Sequence, residues 1–154
     1  MEISDFITVD GVEANLRVTS KKQALQELAK RAAEITGEQE RAIFDVLMER
    51  ERLGTTGVGN GIAIPHGKLA SVDRLYGLFA RLETPIDFQS IDEQPVDLVF
   101  LLLAPETAGA DHLKALARVS RLLRDDSVCE KLRGTDENEA LYVLLTQTSA
   151  SQAA

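Results

Sequence analysis

Two histidines occur in the 154 residues, and one of them, His66, ends the stretch GTTGVGNGIAIPH that begins at Gly54. Pro65 restricts the backbone before it, Gly67 removes bulk after it, and the apolar triplet Ile62–Ile64 reads as a short strand that delivers the ring. A neutral imidazole, with an ordinary pKa of about 6.5, is a nucleophile near pH 7, and an N–P bond formed on it stays reactive enough for onward transfer. The plain alternative is a turn-rich connection ending in a surface histidine, which would need none of this framing. Gly54, Gly57, Gly59 and Gly61 let the chain turn tightly and bring bare N–H groups close to an anion. The stretch is not a nucleotide-binding loop, because Ile62 and Ala63 follow Gly61 where Lys and Ser or Thr would be required. Nor is it GxGxxG, since Ile62 and Ile64 occupy the positions of the third glycine.

Two further cationic or potentially cationic groups can serve such a site. His112, in GADHLKAL, falls in the first turn of a helix for which Asp111 is the candidate cap, among unpaired N–H groups at the positive end of the dipole. Arg50 sits on the polar face of an earlier helix, one turn before Gly54. Taken singly, each also reads as an ordinary solvated side chain. Other chemistries find less support. No GxSxG elbow occurs, Asp125 and Asp126 look like a helix-end charge pair, and one cysteine with two histidines cannot build a Cys/His zinc site. Cys129 falls in a helical, structural setting, and the run Leu98–Leu103 is core.

The elements that must position these residues alternate between strand and helix. Val12, Ala14, Leu16 and Val18 alternate with polar residues and predict a half-buried strand. Ser20 is a candidate N-cap for a helix whose inner face is Leu25, Leu28, Ala29, Ala32 and Ile35, with Gly37 as its C-terminal stop. A second helix carries Ile43, Val46 and Leu47 inward and closes at Gly54. Leu75–Leu82 and the almost continuously apolar Val96–Ala104 read as strands, the latter as a central one. A helix with Leu113, Leu116, Ala117 and Leu123 on one side follows; then come a short helix ending at Gly134 and a last one capped by Thr135 or Asp136, with Leu141, Leu144 and Leu145 inward. The pattern predicts one α/β domain over residues 1–147, a mixed sheet with helices on both faces, and a mobile tail over 148–154.

Composition narrows the partners. The formal net charge of -8 would be repelled by a phosphate backbone, so nucleic acid is not expected. A lone cysteine fits a reducing compartment, the N-terminal residues lack the basic and apolar regions of a signal peptide, and no apolar stretch is long enough to span a bilayer. A cytoplasmic, soluble protein is the expectation, without metal or cofactor.

The stretch RERLGTTGVGNGIAIPHGKL, from Arg50 to Leu69, strongly resembles the mannitol/fructose-type enzyme IIA domains of the bacterial phosphoenolpyruvate phosphotransferase system. Leu82–Glu106, LETPIDFQSIDEQPVDLVFLLLAPE, looks most like the nitrogen-type branch, a stand-alone regulatory form. The likeness runs from about Ser20 to Leu145. It implies a mixed sheet flanked by helices, His66 as the phosphorylated nucleophile acting through Nε2, His112 as the second active-site histidine, and Arg50 as the cation near the phosphoryl group. Thr56 and Asn60 match polar loop positions of the family. The resemblance also implies an HPr-like carrier protein as phosphate donor, hence a shallow surface site. It further implies targets such as potassium transporters, sensor kinases, or proteins of nitrogen and carbon metabolism, regulated by phosphorylation state. A sugar-specific role, passing phosphate to an enzyme IIB, and a binding module without phosphotransfer are the alternatives; no IIB-like or membrane segment is fused in the sequence, which favours regulation.

Overall fold

In the computed structural model, which describes residues 1–147, the apolar run forms β6 (Val96–Pro105), and Leu98 through Ala104 are fully buried. Burial on both faces requires a neighbour on each edge and helices above and below. On one edge β6 pairs antiparallel with β5 (Tyr76–Ile86); on the other it pairs parallel with β3 (Ile62–Ala63) and, further along, with β4 (His66–Leu69). β1 (Val12–Leu16) lies parallel to β5, and β2 (Gly57–Gly59) lies antiparallel to β3, giving the order β1-β5-β6-β3-β2 in a six-stranded mixed sheet.

One face is covered by α1 (Lys21–Thr36) and α2 (Glu40–Arg52), whose Leu25, Leu28, Ile43 and Leu47 pack onto Val99, Leu101 and Leu103. Ser20 caps α1 through its side chain, which accepts from the Gln23 N–H at 3.1 Å, and Gly37 ends it at φ 78°, as the sequence suggests. The other face is covered by α3 (Ala110–Leu123), α4 (Asp126–Arg133) and α5 (Asn138–Thr146), packed on Leu98, Phe100 and Leu102. Ile3, Phe6 and Ile7, from a stretch with no recognisable pattern, complete that second core.

Three local readings change. The inner face of α3 is His112, Ala115, Val119 and Leu123, whereas Leu113 is 67% exposed and Ala117 is exposed too. The helix starts before Asp111, with Gly109 at φ 45° as the N-cap, and His112 lies on its inner face. Thr135 does not cap α5 because its hydroxyl donates back to the Lys131 carbonyl, and Asp136 lies one residue too early; α5 instead starts after Glu137, with Asn138 Oδ1 accepting the Ala14 N–H of β1. Asp125 is more than half of a charge pair, since its carboxylate accepts from Ser127 N–H and Val128 N–H as the cap of α4. The tail expected over 148–154 lies outside the described residues.

Candidate functional site

The glycine-rich stretch is a β-hairpin. β2 and β3 are joined by Asn60 and Gly61, both at positive φ (58° and 81°), the backbone of a tight hairpin turn that Asn-Gly favours. Gly57 is needed for a close approach, as a Cβ there would lie 2.3 Å from Ser90 Oγ. The N–H groups are committed: Thr56 N–H donates to Glu51, Gly57 N–H to Thr55 Oγ1 and Asn60 N–H to Asp92. The hairpin therefore builds a wall beside the histidine; these amides form no open anion cradle.

β3 runs through Ile64 and Pro65 into β4, which begins at His66 and takes its register from β6, His66 opposite Leu102. α2 crosses β4 so closely that a Cβ on Gly67 would meet Val46 Cγ1 at 2.3 Å. Glycine after the histidine is thus the condition for α2 to lie on this strand. Arg50, one helical turn beyond Val46, is carried over the His66 ring by the same crossing.

The ring is fixed at both nitrogens. His66 Nδ1 lies 2.9 Å from the Ile64 carbonyl oxygen, which can only accept, so Nδ1 carries the proton. Nε2, left with its lone pair, accepts from Arg50 Nε–H at 3.2 Å, while Arg50 Nη1 donates to the Gly54 carbonyl at 2.9 Å. Burial of the half-exposed ring pushes its pKa below the usual imidazole value; the Ile64 hydrogen bond opposes this, Arg50 adds to it, and Glu51 opposes it. His66 is accordingly neutral at pH 7, with its lone pair on Nε2.

His112 enters from the opposite side. It lies in the first turn of α3, its ring centroid 5.6 Å from that of His66 at an interplanar angle of 53°. It is only 6% exposed, contrary to the surface position its sequence context suggests, and its Nδ1 has no hydrogen-bond partner among the described residues. Burial lowers its pKa first, with His66 and Lys68 adding to the shift, so this ring too is neutral at pH 7. With its ring this close to that of His66, His112 is placed to hydrogen-bond a group held at His66 Nε2.

The fold thus brings His66, Arg50 and His112 together. Thr56 is buried, and its hydroxyl donates to Glu51 Oε2 at 2.5 Å; Asn60 sits at the hairpin tip, its carbonyl accepting from Arg133 Nη2 at 2.8 Å. The sequence reading missed two residues. Lys68 is exposed and close enough to depress the His112 pKa, and its spacing of two from His66 along β4, which keeps both side chains on one strand face, could have revealed it. Glu51 is buried, whereas its run ERER reads as a solvated face.

Against known families, residues 5–148 match the model described as phosphoenolpyruvate-dependent sugar phosphotransferase system, EIIA 2. A nitrogen regulatory protein of Bradyrhizobium diazoefficiens is 60% identical over 99% of this chain and 100% of its own length. That of Escherichia coli is 39% identical over 98% and 93%. Among solved structures, nitrogen regulatory protein IIA-Ntr from Neisseria meningitidis superposes with a TM-score of 0.89 at 33% identity, covering 94% of this chain and 99% of the other.

Proposed function

The chain belongs to the EIIA 2 family of the phosphoenolpyruvate-dependent sugar phosphotransferase system, whose members are phosphoryl carriers working with protein partners of that relay, and we propose that it carries its phosphate on Nε2 of His66. The observation that supports this reading best is the opposite treatment of the two ring nitrogens: Nδ1 is tied to the Ile64 carbonyl and keeps its proton, whereas Nε2 keeps a lone pair that accepts from Arg50 and can attack once that donor shifts to the phosphoryl group. In the transfer, that lone pair attacks the phosphorus of a phosphohistidine on an HPr-like carrier. The N–P bond on the carrier breaks as the bond to Nε2 forms, and the carrier imidazole leaves with the electron pair. The His66 ring gains positive charge while Nδ1 keeps its proton, and the Ile64 carbonyl oxygen stabilises that charge. Arg50 moves its donor from Nε2 to a phosphoryl oxygen, His112 donates a ring N–H to another, and Lys68 adds positive potential; positioning and charge neutralisation are what such transfers need.

The phosphorylated form acts as a signal. Phosphorylation adds about -1.5 to -2 charge beside Arg50 and His112, so proteins docking there distinguish the two forms. Regulation is the reading that the identity to nitrogen regulatory proteins supports; potassium transporters, sensor kinases and proteins of nitrogen or carbon metabolism are the targets that the resemblance to the nitrogen-type branch implies. The carrier domain occupies residues 1–147 and works in the cytoplasm; no helix among the described residues is long and apolar enough to cross a membrane. The test is incubation with phosphoenolpyruvate, the first enzyme of the relay and an HPr-like carrier. Wild type should gain one acid-labile phosphate and His66→Ala none. Label persisting in His66→Ala, or never entering wild type, overturns the proposal.

A further inference from the structure

Glu51 is the most completely buried carboxylate among the described residues, with its side chain 4% exposed, and it makes no hydrogen bond to His66. It nevertheless receives three donors from two other segments: Lys21 Nζ at 2.8 Å from the first turn of α1, Thr56 N–H at 3.0 Å and Thr56 Oγ1 at 2.5 Å from the chain entering β2. Burying a carboxylate without neutralisation and hydrogen bonds is costly, and this one has both. It is also the residue that follows Arg50. We propose that Glu51, held by Lys21 and Thr56, is a positioning residue for phosphoryl transfer that acts through Arg50.

The geometry explains why such a device is needed. Arg50 stands in the last turn of α2, where backbone groups lose their helical partners, and the chain leaves the helix through Gly54 at φ 149°. Arg50 itself is anchored by Nη1 to the Gly54 carbonyl, just beyond the helix end. Glu51 pins this helix end from both sides, to α1 and to the hairpin wall, so the guanidinium keeps its Nε–H on His66 Nε2. Lys21 has a second task. A bare carboxylate one residue from Arg50 would repel the incoming phosphoryl group, and the Lys21 ammonium, itself lying 4.8 Å from the Phe88 ring centroid, cancels that charge where solvent cannot. On this view the hydroxyl of Thr56 serves by holding Glu51 and contacts no phosphate.

The inference rests on the phosphocarrier reading, and a double-mutant cycle separates the two. Single-turnover phosphoryl transfer from the phosphorylated carrier at saturating concentration is measured for wild type, Glu51→Gln, Arg50→Ala and Glu51→Gln with Arg50→Ala; folding is checked by circular dichroism. Glu51→Gln should slow transfer about tenfold in the wild-type background and less than about twofold when Arg50 is already gone, the non-additivity of residues acting as one unit. Thr56→Val should behave like Glu51→Gln, and Thr56→Ser, which keeps the hydroxyl, should restore the rate. Equal losses in both backgrounds would overturn the proposal, as would a wild-type rate in Glu51→Gln and Thr56→Val. If wild type takes up no phosphate at all, the carrier reading fails instead, and the Arg50 Nε–H resonance still decides the positioning. It should be protected from exchange in wild type and exposed in Thr56→Val; equal protection in both would overturn the proposal.

Discussion

Replacing Gly67 with Ala puts one methyl group into the crossing of α2 over β4 and should damage fold and site together. The added Cβ would stand 2.3 Å from Val46 Cγ1, against an ordinary carbon contact of about 3.5–4.0 Å, so more than an ångström of separation must be found. Val46 cannot turn away cheaply, because a β-branched side chain in a helix has one strongly preferred χ1. Overpacking of this kind costs about 1–3 kcal/mol, which for a domain of this length lowers the melting temperature by roughly 2–12 °C. If α2 lifts instead, Arg50 Nε moves beyond hydrogen-bond range of His66 Nε2, now 3.2 Å, and transfer slows toward the rate of Arg50→Ala. The compensating change is Val46→Ala, after which the nearest remaining atom, Val46 Cβ, lies 3.6 Å from the new methyl, an ordinary contact. Thermal unfolding by circular dichroism and single-turnover transfer should therefore both improve from Gly67→Ala to the double variant. A Gly67→Ala protein with wild-type melting temperature and rate, or a double variant no better than the single one, would mean that the contact between α2 and β4 does not require glycine.

Three other outcomes follow from the site. Removing Arg50 or His112 as Ala should lower the transfer rate by about 10²–10³, the effect of losing one preorganised donor; wild-type rates in both would reduce them to bystanders. His112→Leu should lose transfer yet melt no lower than wild type, because it replaces a buried ring with an unpartnered nitrogen by an apolar side chain; a large drop in melting temperature would contradict this. The pKa values of His66 and His112 are lowered on folding, so below about pH 6.5 the unfolded chain binds more protons than the folded one. Their contribution to stability is complete above that pH and is lost as pH falls from it toward the folded-state values; denaturant midpoints in His66→Ala should depend less on pH over that window, and an unchanged slope would argue against the assignment.

The strong repeating patterns were legible in the sequence. β6 announced itself as an unbroken apolar run, and α1 by a cap, a periodic face and a terminal glycine, since these signals are local and each has one structural meaning. The α3 face differs for a physical reason: counting leucines favours Leu113, whereas the face packed on the sheet is His112, Ala115, Val119 and Leu123, whose residue types carry a weaker apolar signal. β4 was invisible because His66–Leu69 has no apolar alternation and exists only through its ladder to β6. Pro65-His66-Gly67 stood out as a framed nucleophile, yet the reason for Gly67 required α2, and the reason for the framing required the Ile64 carbonyl. Glu51 and Lys21 could not be read as a pair at all, since only tertiary packing buries two charges that look solvated in sequence.

Phosphorylation at one atom, Nε2 of His66, depends on the Ile64 carbonyl holding the proton on Nδ1. The most direct measurement is nuclear magnetic resonance of the protein labelled with nitrogen-15 in its histidines, phosphorylated through the carrier and observed through nitrogen-phosphorus couplings. Phosphorus is expected on Nε2 of His66 with Nδ1 still protonated and His112 unmodified. Phosphorus on Nδ1 of His66, or on His112, would contradict it.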